Sequence, residues 1–243
     1  ELQLYYQPIV CLRDRKVLGY EALARWKHAE RGFVPPAVFI PIAEDTGLMP
    51  KLGEWALNTA CLQAAMLPAD IRISVNLSPA QFSTGDLVNS VERALRTSGL
   101  APNRLELEIT ERLLLEGSAP TLSVLEELDR LGVSIALDDF GSGYSSLSYL
   151  RKFPLDKVKI DRSFITDLDH QGEQIAIIQG VVSIVRALGM NLTAEGVETE
   201  SQYEVLRALG CDDAQGYLFG KPMPFEDIAA MSRESPITTA TAA

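Results

Sequence analysis

The alternation that decides the fold is clearest in residues 133–161, VSIALDDFGSGYSSLSYLRKFPLDKVKID. Two short runs, the largely apolar 133–137 and the alternating 157–160 (KVKI), have the pattern of β-strands, and each is followed by aspartate. The segment 147–153 between them has a helical pattern. Strand-helix-strand units of this kind are built around parallel sheets, so the stretch predicts an α/β protein.

The same alternation continues along the chain. Strands are predicted at 2–10, 17–24, 71–77, 105–109, 133–137, 157–160 and 191–194, with a short one ending near Gln215. Helices are predicted at 39–44, 50–66, 85–98, 120–131, 171–188 and 201–209. Glycine follows four of these helices, where a left-handed cap favours it: Gly99, Gly132, Gly189 and Gly210. Gly53, inside the second helix, is unusual.

About eight strands with intervening helices predict a (β/α)8 barrel, although a doubly wound open sheet has the same local pattern. We place the barrel at residues 1–233 and predict that the Ser/Thr/Ala-rich end, 234–243, is a disordered tail.

Composition limits the function. The chain has 243 residues, of which 47% are hydrophobic, and a net charge of −11. No cluster of Lys and Arg offers a broad surface for duplex DNA, so we expect no DNA partner. Three widely spaced cysteines among apolar neighbours, Cys11, Cys61 and Cys211, favour reduced core residues and a cytoplasmic location.

The apolar segments and the first residues of the sequence lead to two expectations about the setting of the domain. The longest apolar stretch, 175–185, is too short and too interrupted to cross a bilayer. The first residues already have the pattern of a strand, so we expect a longer parent protein, in which an inner-membrane anchor is one option.

Polar residues recur at or just after the predicted strand ends: Asn76, Glu108, Asp138, Asp139, Lys159, Asp161, Glu195 and Gln215, with Glu21 inside the second strand. A single acid there is usually a helix cap or a turn residue. In a closed barrel, however, these ends converge on the face where active sites are built. Adjacent carboxylates at the mouth of a core repel each other unless cations separate them, and oxygen ligands favour Mg²⁺ or Mn²⁺.

Other hydrolytic sites are disfavoured. His28 and His170 have no partner at zinc-ligand spacing, and no Gly-x-Ser-x-Gly motif occurs. The segment 139–146 matches a phosphate-binding glycine loop poorly, because Ser146 occupies the third glycine position. It is compatible both with a mobile loop over the acidic site and with an ordinary strand-to-helix turn.

Seven motifs carry a family resemblance: EALAR at 21–25, SVNLS at 74–78, ELEITE at 106–111, DDFGSGY at 138–144, KID at 159–161, EGVE at 195–198 and QGY at 215–217. In this order, from about Tyr6 to Pro224, the sequence resembles the EAL-domain family of cyclic di-GMP phosphodiesterases. The resemblance implies a modified TIM (β/α)8 barrel with the first strand antiparallel to the others. It also implies cleavage of cyclic di-GMP to linear pGpG.

The resemblance assigns roles to single residues. One metal ion would be held by Glu21, Asn76, Glu108 and Asp138. Asp138 would bridge to a second ion, held also by Asp139 and Glu195. The water between the two ions would be the nucleophile, and its catalytic neighbours would be Lys159, Glu195 and Glu198. Substrate would be contacted by Arg25, Asp161, Gln215 and Gln7, whereas Glu111 would hold the loop 140–146. The two ions would be Mg²⁺ or Mn²⁺, and Ca²⁺ is expected to inhibit.

Three alternatives stay open. Relatives that lost catalytic residues bind cyclic di-GMP as receptors, but every matched metal or catalytic position is filled here. The domain could instead serve chiefly as an interaction module, forming a homodimer through 147–153 and controlled by an upstream sensor or GGDEF-type domain. Without the resemblance, another metal hydrolase on a TIM barrel is the remaining candidate.

Overall fold

A computed structural model describes residues 1–115, 119–141, 147–166, 168 and 172–234. The predicted tail beyond residue 234, His170 and residues 142–146 of the glycine-rich loop lie outside these described residues. The boundary of the barrel at residue 233 therefore stays a prediction.

The strands close into a barrel. They are β1 (Leu2–Cys11), β2 (Val17–His28), β3 (Gly32–Val34), β4 (Arg72–Leu77), β5 (Leu105–Thr110), β6 (Ser134–Phe140), β7 (Lys157–Ile160), β8 (Asn191–Ala194), β9 (Asp213–Gln215) and β10 (Met223–Pro224). From β2 through β4 to β9 the neighbouring strands are parallel. β1 closes the ring by pairing antiparallel with both β2 and β9. The antiparallel first strand is thus confirmed, and the open-sheet alternative is wrong.

Helices surround the ring. They are α1 (Pro36–Asp45), α2 (Met49–Ala64), α3 (Pro79–Phe82), α4 (Leu87–Ser98), α5 (Glu111–Leu115), α6 (Ala119–Arg130), α7 (Leu147–Lys152), α8 (Gly172–Ala187), α9 (Glu200–Leu209) and α10 (Phe225–Glu234). The predicted helices agree with these to within a few residues. Five further elements were not predicted: α3, α5, α10, β3 and β10. Most of them are too short to show a periodic pattern in the sequence.

Two strands, β2 and β6, extend well past their predicted ends. β2 continues to His28 because its end pairs with both β1 and β3. β6 continues through Asp138 and Asp139 to Phe140, which pairs with Ile160. The two aspartates therefore belong to the strand, and backbone pairing with the neighbouring strands outweighs their low strand propensity.

Alternation along the strands separates an apolar from a polar side. On β5, Leu105, Leu107 and Ile109 are completely buried members of the apolar core that the helices cover. Glu106 and Glu108 alternate with them and are buried inside the ring, where they meet lysines from β7. The barrel interior is accordingly lined with charged groups.

Five glycines have a structural reason, either a left-handed backbone or a close packing contact. Gly99, Gly132, Gly189 and Gly210 all have positive φ, between 70° and 87°, which confirms the predicted left-handed caps. Gly53 has a packing reason, because a Cβ atom there would lie 2.4 Å from Cδ of the buried Gln81. Gln81 in turn accepts a hydrogen bond from the backbone N–H of Ser78 at the start of α3.

Cys61 and Cys211 are buried, Cys11 is partly exposed, and all three are free thiols. None of the helices in the described part of the chain combines the length and the apolar character that a bilayer span requires.

Candidate metal and substrate site

Lys159 lies at the centre of the acidic end of the barrel interior. Its Nζ atom is 2.7 Å from Oε1 of Glu195, 2.8 Å from Oε2 of Glu108, 3.1 Å from Oδ1 of Asp138 and 3.8 Å from Oε2 of Glu21. These carboxylates are far apart in sequence and come from β2, β5, β6 and the end of β8. The closed ring brings them to one ammonium group, as predicted for strand ends that converge.

A chain of amides orients Glu21. Its Oε1 accepts a hydrogen bond from Nδ2 of Asn76 at 2.7 Å, and its Oε2 accepts one from Nε2 of Gln215 at 2.6 Å. The same Gln215 nitrogen lies 3.2 Å from Oε1 of Gln7, whose own amide donates to the carbonyl of Gly220. Each oxygen of Glu21 accepts one amide hydrogen bond, which orients the carboxylate and leaves a lone pair on each oxygen.

Asp138, Asp139 and Glu195 form a second, more open group. Each offers one oxygen, and the three oxygens lie within 4.8 Å of one another. Asp139 has a φ of 55°, a left-handed backbone that costs a non-glycine residue of order 1–3 kcal/mol and that recurs at functional sites. The strained backbone turns two successive carboxylates toward the same opening.

The donor set suits hard divalent cations. In the described part of the chain, Oε1 of Glu108 is buried without a hydrogen-bond partner, so this oxygen has unused capacity for a ligand. All charged donors here are carboxylates, and Asn76 adds a neutral oxygen, as Mg²⁺ and Mn²⁺ sites require. The residues therefore fit the ions that the family resemblance implies.

Burial and crowding shift the acidities. Burial, together with the charge of Glu21, raises the pKa of Glu108 well above its usual range. Burial also raises the pKa of Glu195 to about 7, although Lys159 opposes the shift. For Glu21 the effect of burial is outweighed by Lys159 and by the amide hydrogen bonds, so its pKa is lowered.

The acids also hold the proton on Lys159. Burial would lower the pKa of the lysine, but the surrounding carboxylates, with Glu108 foremost, raise it well above its usual value. Lys159 is therefore protonated at neutral pH in the metal-free site.

A cleft of about 330 Å³ opens above these groups. Its walls include the predicted Gln7, Glu21, Asp138, Asp139, Asp161, Glu195, Glu198 and Gln215. Asp161 also caps the following helical turn by accepting a hydrogen bond from the N–H of Ser163, so the ordinary role of a strand-end acid applies to it as well. Glu108 and Lys159 lie beneath the cleft as its buried floor.

The cleft is also lined by five residues to which sequence analysis assigned no individual role: Leu23, Arg162, Gly196, Gly216 and Tyr217. Leu23 follows Glu21 by two positions, so the strand alternation alone indicates that both side chains face the barrel interior. Gly216 is required by close packing, since a Cβ atom there would lie 2.0 Å from the carbonyl oxygen of Val197. Such an approach between distant segments has no signature in one sequence.

Arg25 does not line the acidic cleft. It faces an adjoining, mostly apolar cavity that shares Leu23 with the cleft and also includes Asn76. Its Nη1 donates to the carbonyl of Ala24, and its guanidinium lies 5.9 Å from the ring centre of Tyr5. The arginine is thus near the site without touching its acids.

Glu111 is buried at the start of α5, behind the acidic group. Its Oε2 accepts a hydrogen bond of 3.4 Å from the backbone N–H of Gly141. This contact ties Glu111 to the first residue after β6. The rest of the loop that Glu111 was predicted to hold lies outside the described residues.

Comparisons with known proteins agree with this geometry. A sequence model of the EAL domain matches residues 1–222. The chain is 45% identical over 234 residues to the bifunctional diguanylate cyclase/cyclic di-GMP phosphodiesterase MucR of Pseudomonas aeruginosa, covering 95% of this chain and 34% of MucR. It is 42% identical over 228 residues to the cyclic di-GMP phosphodiesterase NbdA of the same organism, covering 92% and 29%. The chain spans about a third of the length of these curated relatives.

Solved structures share the fold. The PaMucR phosphodiesterase in complex with c-di-GMP superimposes with a TM-score of 0.89 at 45% identity, covering 93% of this chain and 94% of that one. Klebsiella pneumoniae BlrP1, in a calcium/cy-diGMP complex, gives a TM-score of 0.82 at 32% identity, covering 92% and 56%.

Proposed function

This chain belongs to the EAL domain family, and on that premise we propose that it hydrolyses cyclic di-GMP to linear pGpG with the help of two divalent cations. The observation that carries the proposal is the convergence of Glu21, Glu108, Asp138 and Glu195 on Lys159 beneath an open cleft. The names of MucR and NbdA and the c-di-GMP complex of PaMucR support the substrate.

The ligands of the two ions follow the two groups in the site. Glu21, Asn76, Glu108 and Asp138 would hold one ion. Asp138, Asp139 and Glu195 would hold the other, and their oxygens already lie close together. Two Mg²⁺ or Mn²⁺ ions would lower the pKa of water and neutralise negative charge on the reacting phosphate.

The protein's own side chains would orient the attacking water, the metal ligands and the substrate. Lys159 would donate a hydrogen bond that orients the attacking water. Gln7 and Gln215 hold Glu21 in place, Asp161 and Glu198 line the walls, and Glu111 secures the start of the loop at Gly141. Arg25 would reach a substrate phosphate from the adjoining cavity with its two-pronged guanidinium.

The experiment is a comparison of ions on one protein. Cyclic di-GMP would be incubated with the chain in Mg²⁺, Mn²⁺, Ca²⁺ or chelator, with affinity measured by calorimetry and pGpG by chromatography. We expect hydrolysis in Mg²⁺ and Mn²⁺. Ca²⁺ prefers longer bonds of about 2.3–2.6 Å and more ligands, so it should support binding but not turnover. The calcium/cy-diGMP complex of BlrP1 supports this expectation.

The outcomes separate the alternatives. Equal hydrolysis after chelation, or rapid hydrolysis in Ca²⁺ alone, contradicts the two-ion mechanism. Binding without hydrolysis in every metal would favour a receptor, and indifference to cyclic di-GMP would favour another metal hydrolase.

We propose that the domain is one part of a longer protein. Because the chain matches about a third of MucR and of the oxygen sensor protein DosP of Escherichia coli, we place it in a longer signalling protein with a sensor or GGDEF-type domain. Free cysteines suit the reducing cytoplasm as the compartment where the domain acts. A homodimer is expected, and sedimentation of the isolated chain would test it.

A further inference from the structure

A second ring of polar side chains lies directly below the candidate site. Ser74, Glu106, Lys157 and Asp213 each precede, by two positions on the same strand, Asn76, Glu108, Lys159 and Gln215. Residues two apart on a strand face the same side, so the interior of the barrel repeats its polar pattern at two levels. The lower level surrounds a small cavity of about 10 Å³.

The lower ring is tightly paired. Nζ of Lys157 is 2.8 Å from Oε2 of Glu106 and 3.5 Å from Oδ2 of Asp213. Oγ of Ser74 donates to Oε1 of Glu106 at 2.8 Å. All four side chains are buried, and Glu106 is 2% exposed.

The charges of the two rings differ. In the lower ring, Lys157 and the nearby Arg72 balance Glu106 and Asp213, since all four line the same cavity. In the upper ring, the single ammonium of Lys159 faces the carboxylates of Glu21, Glu108, Asp138 and Glu195. Acidic side chains therefore outnumber the cation at the mouth, whereas the lower ring has two acids and two cations.

We propose that Lys157 is a positioning residue for the reaction proposed above. Because Lys157 neutralises Glu106 from below, Lys159 remains paired with the carboxylates at the mouth. Lys157 thereby determines both the position of the Lys159 ammonium and the affinity of the site for cations. The proposal rests on the proposed function. Without Lys157, the buried carboxylate of Glu106 would lose its 2.8 Å ion pair, a strongly unfavourable change. Lys159 follows Lys157 by two positions on the same face of β7. The ammonium would be drawn downward, away from Glu195 and Glu108.

The resulting signature is unlike that of simple destabilisation. In Lys157→Met, kcat should fall by about tenfold or more, because displacement of a positioned group by about 1 Å is that costly. The KM for cyclic di-GMP should change little. The affinity for Mn²⁺, measured by calorimetry without substrate, should rise severalfold, because the mouth loses a competing cation.

Two further variants make the test specific. Glu106→Gln leaves an excess positive charge below the mouth and should weaken Mn²⁺ binding. The double variant Glu106→Gln/Lys157→Met restores the balance and should bring kcat and Mn²⁺ affinity back to within about threefold of wild type. The recovery of kcat is the non-additive part of this result, whereas the opposite shifts in Mn²⁺ affinity cancel. Lys16→Met removes the exposed pair with Asp70 and is the matched control, expected to alter neither quantity.

The results can overturn the inference independently of the proposed function. A folded Lys157→Met with unchanged Mn²⁺ affinity and kcat would refute it, as would a double variant that is no closer to wild type than the single one. If Lys157→Met does not fold, the other two variants still test the inference. Glu106→Gln should weaken Mn²⁺ binding, and the double variant should restore it. If the wild-type protein binds Mn²⁺ but never forms pGpG, the proposed function is refuted. The role of Lys157 in cation binding is still tested by the Mn²⁺ measurements.

Discussion

Nζ of Lys159 lies 2.8 Å from Oε2 of Glu108, and each of these residues is only 1% exposed. A buried lysine is stable as a cation only when acids surround it, and buried acids require the lysine equally. The pair is therefore both the floor of the candidate site and a requirement of the fold.

Replacement of Lys159 by Met should reduce kcat far more than it changes KM, because the lysine is assigned to the attacking water and not to the bound dinucleotide. It should also destabilise the fold by about 3–5 kcal/mol, since buried carboxylates lose their cation. Mn²⁺ should recover part of that loss in thermal unfolding. Lys51→Met, at an exposed position, is the control, and a change confined to KM would contradict the assignment.

Glu21→Ala should abolish turnover and weaken Mn²⁺ binding while the barrel stays folded, because the change removes a ligand at the mouth and leaves the helix-facing core intact. The amides of Asn76 and Gln215 lose their acceptor, so a small loss of stability is expected. Steady-state kinetics, calorimetry and circular dichroism would measure the three effects. Glu92→Ala on the exposed face of α4 is the matched control, and full activity of Glu21→Ala would refute the ligand role.

Arg25→Ala should raise KM markedly with a smaller effect on kcat, because a phosphate contact made before the transition state is lost. The position of Arg25 in the adjoining cavity makes this a sharp test. Arg31→Ala, on the exposed turn before β3, should leave KM unchanged. A pure loss of kcat would mean that Arg25 supports the site and does not contact substrate.

Gly53→Ala should destabilise the protein by about 1–3 kcal/mol, because the new methyl group must displace the buried side chain of Gln81 and its hydrogen bond to Ser78. Gly180 offers a matched comparison inside another helix. Apart from the adjacent backbone of its own helix, no atom of the described residues lies within 4 Å of a Cβ there, so Gly180→Ala should stabilise by about 0.5–1 kcal/mol. Urea unfolding of both variants measures the difference, and equal effects would disprove the packing explanation.

Alkylation should distinguish the cysteines. Burial raises the pKa of both Cys61 and Cys211 to about 12, so at pH 8 they are protonated thiols and lack the reactive thiolate. Raising the pH toward 12 would release thiolate, but at pH 8 iodoacetamide should label them only after denaturation. The partly exposed Cys11 provides the internal comparison by peptide mass spectrometry. Rapid labelling of Cys61 or Cys211 in the folded protein would contradict this.

Much of the fold could be predicted from local pattern. Apolar runs and terminal glycines located the barrel strands and most longer helices, since strand and helix periodicity and left-handed caps are properties of short segments. The motifs around Glu21, Asn76, Glu108 and Asp138 identified the family and the acids of the site. Short elements such as α3 and β3 lack enough residues for a period, so their presence depends on neighbours.

The sequence by itself determined which residues are acidic, which face of each strand they occupy and which family they belong to. Only the tertiary structure decided that Glu21, Glu108, Asp138 and Glu195 share one ammonium, that Arg25 lies in a separate cavity, and that Lys157 and Glu106 form a balanced pair below. The physical reason is that local periodicity fixes the direction of a side chain along its own strand. Distances across the barrel depend on how the strands close and stagger, which is a property of the whole ring.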